Sequence, residues 1–376
     1  MGCHPRRSSY SKDMVRFLAA LGLTCWALAV GVEAQPAHFS IDQALGSAFP
    51  THLTAAPADG KVAWVSNARG VVNIMVAEPP DYHARKLTNY TEDDGQDIVE
   101  LRWTPDARGL VYVRGEGPNG SGETPNPTLD PKGTEQTIWI VDSDGSAPRR
   151  LGEGNSIAVS PRGDRVAYVR RGQLWWVPLS GKADPTQPFH TRGRLSEPVW
   201  SPDGAHLAFV SNRGDHSFVG VYDVNPPALR YLDPSTDFDS EPGWSPDSRH
   251  VAFIREPSRG KGPIYGARRA DEPWSIHIAD ATTGTAHEVW KAREGVGSVF
   301  REVVADHQIL WAAGDRLIFP WEGDGWTHLY SVSVEGGKPA LLTPGDFEVE
   351  FVALAPGGRE GVVHGTIRRR SGGDGN

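Results

Sequence analysis

A short apolar run returns along the chain, each time after the same kind of turn. Ala56 opens APADGKVAWV, Thr104 opens TPDARGLVYV, Ser160 opens SPRGDRVAYV, Ser201 opens SPDGAHLAFV and Ser245 opens SPDSRHVAFI. In each copy four apolar residues begin five positions after a turn proline: Pro57, Pro105, Pro161, Pro202 or Pro246. Two weaker copies follow, AAGDRLIFP from Ala312 and APGGREGVVH from Ala355. Strands are therefore predicted to start near residues 62, 110, 166, 207, 251, 317 and 361. The turn has a clear chemistry: Pro pre-sets φ, Asp bonds back to the following backbone, and Gly accepts a positive φ. Trp103, Trp200 and Trp244 stand just before three of these turns.

The recurring strand is apolar on both faces, as in Leu207-Ala208-Phe209-Val210. A sheet with one wet face would alternate instead, so each sheet is expected to be covered on both sides. A second strand follows in Ile138–Asp142, Leu174–Val177, Ile276–Asp280 and Leu329–Val332, then a glycine turn such as Asp144-Gly145 or Gly336-Gly337. A third short strand comes next, for example Arg150-Leu151, Val289-Trp290 or Leu341–Thr343. Three to four antiparallel strands every ~40–45 residues is the blade of a β-propeller, whose sheets stack radially. The fold class predicted is all-β, a propeller with about seven recognisable blades.

Two repeat intervals are stretched by insertions. Residues 115–132 are polar and turn-rich, and residues 255–271 are basic with Tyr265 among them; both read as exposed loops. The seventh unit is unfinished: after His364 the chain reads GTIRRRSGGDGN, with no further strand of that blade. The predicted organisation is a signal peptide over 1–34, an incomplete propeller over 35–364 and a disordered basic, glycine-rich tail over 365–376. The interrupted blade makes the chain look cut short.

Composition supports this picture. There are 43 Gly and 30 Pro among 376 residues, too many turn formers for long helices, and hydrophobic residues make up 38%. Arg6, Arg7, Lys12 and Arg16 precede an apolar run from Phe17 to Val32, and Val32-Glu33-Ala34 supplies the small residues of a cleavage site. A periplasmic or secreted location is the expectation, with no integral membrane span after cleavage. The chain has 38 basic and 47 acidic residues; the first 34 take away four basic and two acidic ones, leaving a net charge of −11. An acidic body gives no electrostatic footprint for nucleic acid. Both cysteines, Cys3 and Cys25, lie in the leader, so the remainder has no thiol chemistry.

The search for catalytic chemistry returns little. No G-x-S-x-G nucleophile elbow is present; the nearest string, GNSIA around Ser156, reads as strand. No H-E-x-x-H, paired cysteines or complete calcium loop occurs. Asp142, Asp144 and Gly145 begin like a calcium loop but fall where other blades have a hairpin, and the acidic run from Glu92 to Asp97 reads as a loop between blades. No catalytic, cofactor-binding or metal residue is assigned, and no cofactor is expected.

The unit S-P-D-G-x-x-[LV]-A-[FY]-[VI] resembles the TolB-like propeller repeat, most closely in SEPVWSPDGAHLAFVSNRG from Ser196. A longer resemblance covers most of residues 35–364. DEPWSIHIADATTGTAHEVW from Asp271, GDRLIFPWEGDGWTHLYSV from Gly314 and LLTPGDFEVEFVALAPGGRE from Leu341 look like the N-terminal propeller of bacterial serine peptidases of the prolyl oligopeptidase and dipeptidyl peptidase IV family. The resemblance implies a propeller that gates peptide access to a Ser-Asp-His hydrolase domain lying beyond this chain, which by itself would be inactive. It also implies a peptide substrate, handled through that missing domain. The dipeptidyl branch holds the substrate ammonium with two adjacent glutamates, and no Glu-Glu pair occurs here. Dipeptidyl, oligopeptidase and acylaminoacyl specificities therefore stay open. Arg301-Glu302 and Trp326–His328 lie in the parts most like the family, where strand packing explains them equally well. The alternative is a stand-alone TolB-like periplasmic propeller that binds a protein or peptide. A metal-centred propeller enzyme would need convergent Glu, Asn and Asp ligands, and no motif supplies them.

Overall fold

The computed structural model describes residues 40–41, 46–117, 125–126, 129, 131, 136–258, 272–355 and 358–366. The predicted leader, most of both insertions with Tyr265, and nearly all of the predicted tail lie outside the described residues. The chain divides into the units Met1–Ser47 and Ala48–Asn376, and every strand belongs to the second.

Blade 1 comprises β1 (Phe49–Ala55), β2 (Val62–Ala68), β3 (Val71–Ala77) and β4 (Arg85–Lys86). Blade 2 comprises β5 (Ile98–Trp103), β6 (Gly109–Arg114), β7 (Thr137–Asp142) and β8 (Arg149–Glu153). Blade 3 has β9 (Asn155–Val159), β10 (Arg165–Arg170) and β11 (Gln173–Pro178), with a bridge from Trp176 to Thr186 marking the place of a fourth strand. Blade 4 has β12 (Arg194–Trp200), β13 (His206–Asn212), β14 (Ser217–Asp223) and β15 (Ala228–Tyr231). Blade 5 has β16 (Phe238–Trp244), β17 (His250–Glu256), β18 (Ser275–Asp280) and β19 (Ala286–Lys291). Blade 6 has β20 (Leu310–Ala312), β21 (Arg316–Trp321), β22 (His328–Ser333) and β23 (Ala340–Leu341). Blade 7 holds β24 (Glu348–Leu354) and β25 (Gly361–Thr366). Within each blade the strands follow chain order and pair antiparallel; a single parallel bridge between Ser217 and Phe238 joins blades 4 and 5.

The repeated apolar run is the second strand of its blade in all seven cases. The strand before each turn is the first strand, and in blades 2, 4 and 5 it ends on the repeated Trp103, Trp200 or Trp244. Alternate residues of the second strand enter different cores, as radial stacking requires. Leu110 and Tyr112 pack with blade 1, whereas Val111 and Val113 pack with blade 3. Leu207 and Phe209 face blade 3, while Ala208 and Val210 face blade 5. All these residues are buried. Each buried Val, Leu or Phe side chain contributes about 1.5–3 kcal/mol, so the gaps between blades are the core of the molecule.

The turn and the tryptophan each have a defined task. Ser201 donates its hydroxyl to Asp203 at 2.6 Å and accepts the His206 amide at 2.9 Å, while Asp203 accepts the Ala205 amide. Thr104 with Asp106 and Ser245 with Asp247 repeat this lock. The indole nitrogen of Trp200 donates to the Ala158 carbonyl of blade 3, that of Trp244 to Val199 of blade 4, and that of Trp311 to Gly243 of blade 5, each at 3.0 Å. Trp103 makes the equivalent, longer contact with Thr54 of blade 1 at 3.4 Å. A tryptophan two residues before the turn thus ties its blade to the one before it. Gly220 lies opposite Phe209 across β13 and β14, and a Cβ there would sit 2.6 Å from the ring. Its missing side chain makes room for the phenyl group.

Candidate functional site

Five residues before the turn proline stand His52, Glu100, Ser156, Glu197 and Glu241 in blades 1 to 5. Gln308 and Phe351 take the equivalent places in blades 6 and 7. The pairing register slips here, between Thr51 and Thr54, Ile98 and Glu100, Ser196 and Val199, and Ser240 and Gly243. These are β-bulges, which turn a side chain out of the ladder. His52, Ser156, Glu197 and Glu241 have φ between 50° and 56°, a left-handed conformation that non-glycine residues adopt at a cost of about 1–2 kcal/mol each.

Bonds between blades offset that cost. The Glu100 carboxylate accepts the amides of Ser156 at 2.6 Å and Ile157 at 2.8 Å. Glu197 accepts the amide of Glu241 at 2.7 Å, and Glu241 in turn accepts the amide of Gln308. Glu100 and Glu197 thus hold the left-handed residue of the following blade, and Glu241 holds the segment that leads into β20. Ser156 is therefore a strand residue, as expected, and its hydroxyl donates to Asn155 at 3.2 Å.

The first strands of blades 2 to 5 and the segment 302–308 line a cavity of about 860 Å³. Glu100, Glu197, Glu241, Glu302 and Asp306 make its wall acidic, against Arg102 and His307. Trp103 and Trp200 add flat apolar surface. Arg102 and Asp306 pair at 3.6 Å across exposed side chains, a contact of small energetic weight. Burial pushes the Glu241 carboxyl up to about 7, with the charges of Glu197 and Glu302 adding to the shift. Burial also raises Glu197; the Glu241 amide opposes that shift, and Glu302 adds to it. Desolvation holds His307 below its ordinary value, against the pull of Asp306, with Arg102 lowering it further. Near neutral pH the cavity thus holds carboxylates that are poorly solvated and repel one another. An entering cation would relieve both conditions.

The absence of neighbouring glutamates in sequence did not reveal this cluster, because the fold draws Glu197, Glu241 and Glu302 from different blades. The constant offset from the turn proline was the signal that could have found Glu197 and Glu241; nothing in the repeat marks Glu302. Of the residues singled out earlier, Glu302 lines the cavity, while Arg301 points to Glu322 at 3.8 Å. Trp326 is half-buried, and its amide donates to Asp324. His328 is buried at the start of β22, edge-on to Phe347 and 3.6 Å from Asp324, in a packing role. Asp142 and Asp144 shape a hairpin: the Gly145 amide bonds the Asp142 carbonyl, and Asp144 accepts from Ser146. The run 92–97 connects blades 1 and 2, with Asp94 paired to Arg114 at 2.5 Å. Among the described residues, no three His, Cys, Asp or Glu side chains are grouped to hold a metal ion.

No family model matches the chain. It is similar in structure to prolyl oligopeptidase B from Galerina marginata, at 11% identity over 92% of this chain and 50% of that one, with a TM-score of 0.56. Dipeptidyl peptidase 4 from Porphyromonas gingivalis is similar at 13% identity over 86% and 51%, also with a TM-score of 0.56. An oligogalacturonate lyase in complex with manganese is similar at 16% identity over 76% of both chains, with a TM-score of 0.51. The chain spans about half the length of the two peptidases. These likenesses establish the fold class, a β-propeller of the type shared with prolyl oligopeptidase-like peptidases. Among the described residues, no helix is long and apolar enough to cross a membrane.

Proposed function

We propose that this chain is the substrate-admitting propeller of a secreted or periplasmic serine peptidase of the prolyl oligopeptidase and dipeptidyl peptidase IV family. The hydrolytic triad would reside in a further domain, and residues 35–364 would form the propeller. The observation that carries this reading is the acidic cavity, where carboxylates from successive blades face a space large enough for several residues of peptide. The cluster of Glu197, Glu241 and Glu302 suits an ammonium or guanidinium group, and Trp103 and Trp200 suit apolar side chains beside it. The propeller's role is to select and admit, by charge and width, while a neighbouring domain cleaves. In such an enzyme a serine attacks the peptide carbonyl, with a histidine as base and an aspartate orienting it.

The test uses the intrinsic tryptophan fluorescence of the chain, to which Trp103 and Trp200 in the cavity wall contribute. A short peptide with a free amino terminus and a basic side chain should bind the chain and change its emission, whereas an N-acetylated acidic peptide should not. Chromogenic peptide substrates should remain intact in the same mixtures. Glu197→Gln combined with Glu241→Gln should weaken the basic peptide about 10- to 100-fold, the loss expected when charged hydrogen bonds are removed. Equal binding of both peptides, or turnover by the chain alone, would contradict the proposal. A second reading, a self-sufficient TolB-like binding propeller, draws support from the repeated S-P-D-G-x-x-[LV]-A-[FY]-[VI] unit. That reading expects tight capture of a folded partner in preference to short peptides.

A further inference from the structure

We propose that Gln308 is the positioning residue of the acidic cavity: its side chain locks the strap 303–307 and so holds Glu302 beside the carboxylates of blades 4 and 5. For its ligand, a basic peptide, this role rests on the function proposed above. Gln308 takes in blade 6 the place that Glu197 and Glu241 take in blades 4 and 5, and it is buried. Its main-chain amide donates to the Glu241 carboxylate, just as the Glu241 amide donates to Glu197. Its side chain leaves the series. It turns back on Val303, whose amide donates to Oε1 at 3.0 Å and whose carbonyl accepts from Nε2 at 2.9 Å. One residue thus touches both the blade 5 carboxylate and the backbone next to Glu302.

The clamp requires a primary amide. Val303 offers one donor and one acceptor, and a carboxamide answers both with a single side chain. A glutamate at the place of Gln308, as in blades 4 and 5, would set a carboxylate against the buried Val303 carbonyl and leave it unpaired. Past the clamp, the strap is fixed on one flank: the Val304 amide donates to the Glu350 carbonyl at 2.8 Å, and the Val304 carbonyl accepts the Val352 amide at 3.1 Å. On the other flank it has the exposed pair of Asp306 with Arg102 at 3.6 Å, which holds weakly. Arg301 faces away, toward Glu322. Glu302 lies close enough for its charge to raise both Glu197 and Glu241. The other charged or titratable groups of the cavity wall are Glu100, Arg102, Asp306 and His307. With the strap locked, an entering cation meets three clustered carboxylates; with the strap released, it meets two.

The test is a double-mutant cycle on the titration of Glu241 in the peptide-free chain, followed by its carboxyl carbon resonance and assigned with Glu241→Gln. Glu302→Gln should move the Glu241 midpoint downward from about 7, because a repelling charge is lost. In a Gln308→Met background the same substitution should leave the midpoint unchanged, because Glu302 is no longer held beside Glu241. A shift of equal size in both backgrounds, or no shift on Glu302→Gln in the otherwise unaltered chain, would overturn the proposal. Hydrogen exchange at the Gln308 side-chain amide of the unaltered chain decides the matter even if the methionine variant does not fold. One Nε2 proton should exchange slowly, and two freely exchanging protons would overturn the clamp. In peptide titrations, Gln308→Met and Glu302→Gln should each weaken the basic peptide by the same several-fold factor, with no further loss when combined; factors that multiply would contradict the shared role. A chain that titrates as described yet binds no basic peptide would contradict the peptidase reading and not the clamp.

Discussion

Blades 4 and 7 run through the same sequence of turn and second strand, yet only one of them buries it. Ser201 to Val210 and Ala355 to His364 align residue for residue. In blade 4 the strand β13 lies between β12 and β14, and its two faces fill the cores shared with blades 3 and 5. In blade 7 one side of the sheet packs on blade 6 through Val349 and Val352, while Phe351 on β24 remains 48% exposed. The same local pattern thus gives the same hairpin, and burial depends on the neighbours. This is the nearest-neighbour behaviour of repeat architectures, in which a unit draws stability from the interfaces it makes.

The largest effect that separates the two blades comes from Phe209. Phe209→Ala should lower the unfolding free energy by about 3–5 kcal/mol in a urea titration. Val363→Ala, at the aligned position of blade 7, should change it by less than about 0.5 kcal/mol, as exposed substitutions do. Similar losses at the two positions would mean that blade 7 is packed after all.

A second contrast lies between the acidic cavity and the rest of the fold. Glu241 titrates near 7 in the folded chain, above its ordinary carboxylate value. The folded state therefore binds more protons than the unfolded state between about pH 4.5 and 7, and stability falls as pH rises through that window. The denaturation midpoint should drop from pH 5 to pH 8 by an amount equivalent to about 1–3 kcal/mol. Glu241→Gln should reduce that slope without altering the fold; Asp239, which burial pushes up to about 6, supplies a further part of it, and His277, which burial holds down to about 4, acts in the opposite sense.

The smallest effect concerns the turns. Blades 2 to 5 carry Thr104, Ser160, Ser201 and Ser245 at the head of the turn, whereas blades 1, 6 and 7 carry Ala56, Ala312 and Ala355. Ser201→Ala should cost about 1 kcal/mol, the worth of one buried hydrogen-bond set, by the same urea titration. A loss near zero would assign the turn's stability to Pro202 and Asp203 alone.

Much of this fold can be read from the chain. The second strands begin at 62, 109, 165, 206, 250, 316 and 361, within one residue of the predicted starts. They were legible because strands covered on both faces are continuously apolar and follow a turn whose Pro, Asp and Gly have few other uses. The first strands were hidden. They are broken by a bulge and polar at that bulge, as in Glu197-Pro198 and Glu241-Pro242, so neither a period of two nor an apolar run marks them. Trp200 and Trp244 were visible as repeated residues, but their bonds to Ala158 and Val199 depend on the phase between blades, which no single repeat contains. The acidic cluster was missed for a related reason: its members lie 44 and 61 residues apart, from Glu197 to Glu241 and from Glu241 to Glu302, and only ring-like stacking brings them together.

The central claim is that this cavity takes a cation onto partly protonated carboxylates. Calorimetric titration with a short basic peptide at pH 7, in two buffers of different ionisation enthalpy, tests it most directly. An entering positive charge lowers the Glu241 pKa, so binding should release a fraction of a proton per peptide, and Glu241→Gln should reduce the release. Binding with no buffer dependence, or with proton uptake, would contradict the account.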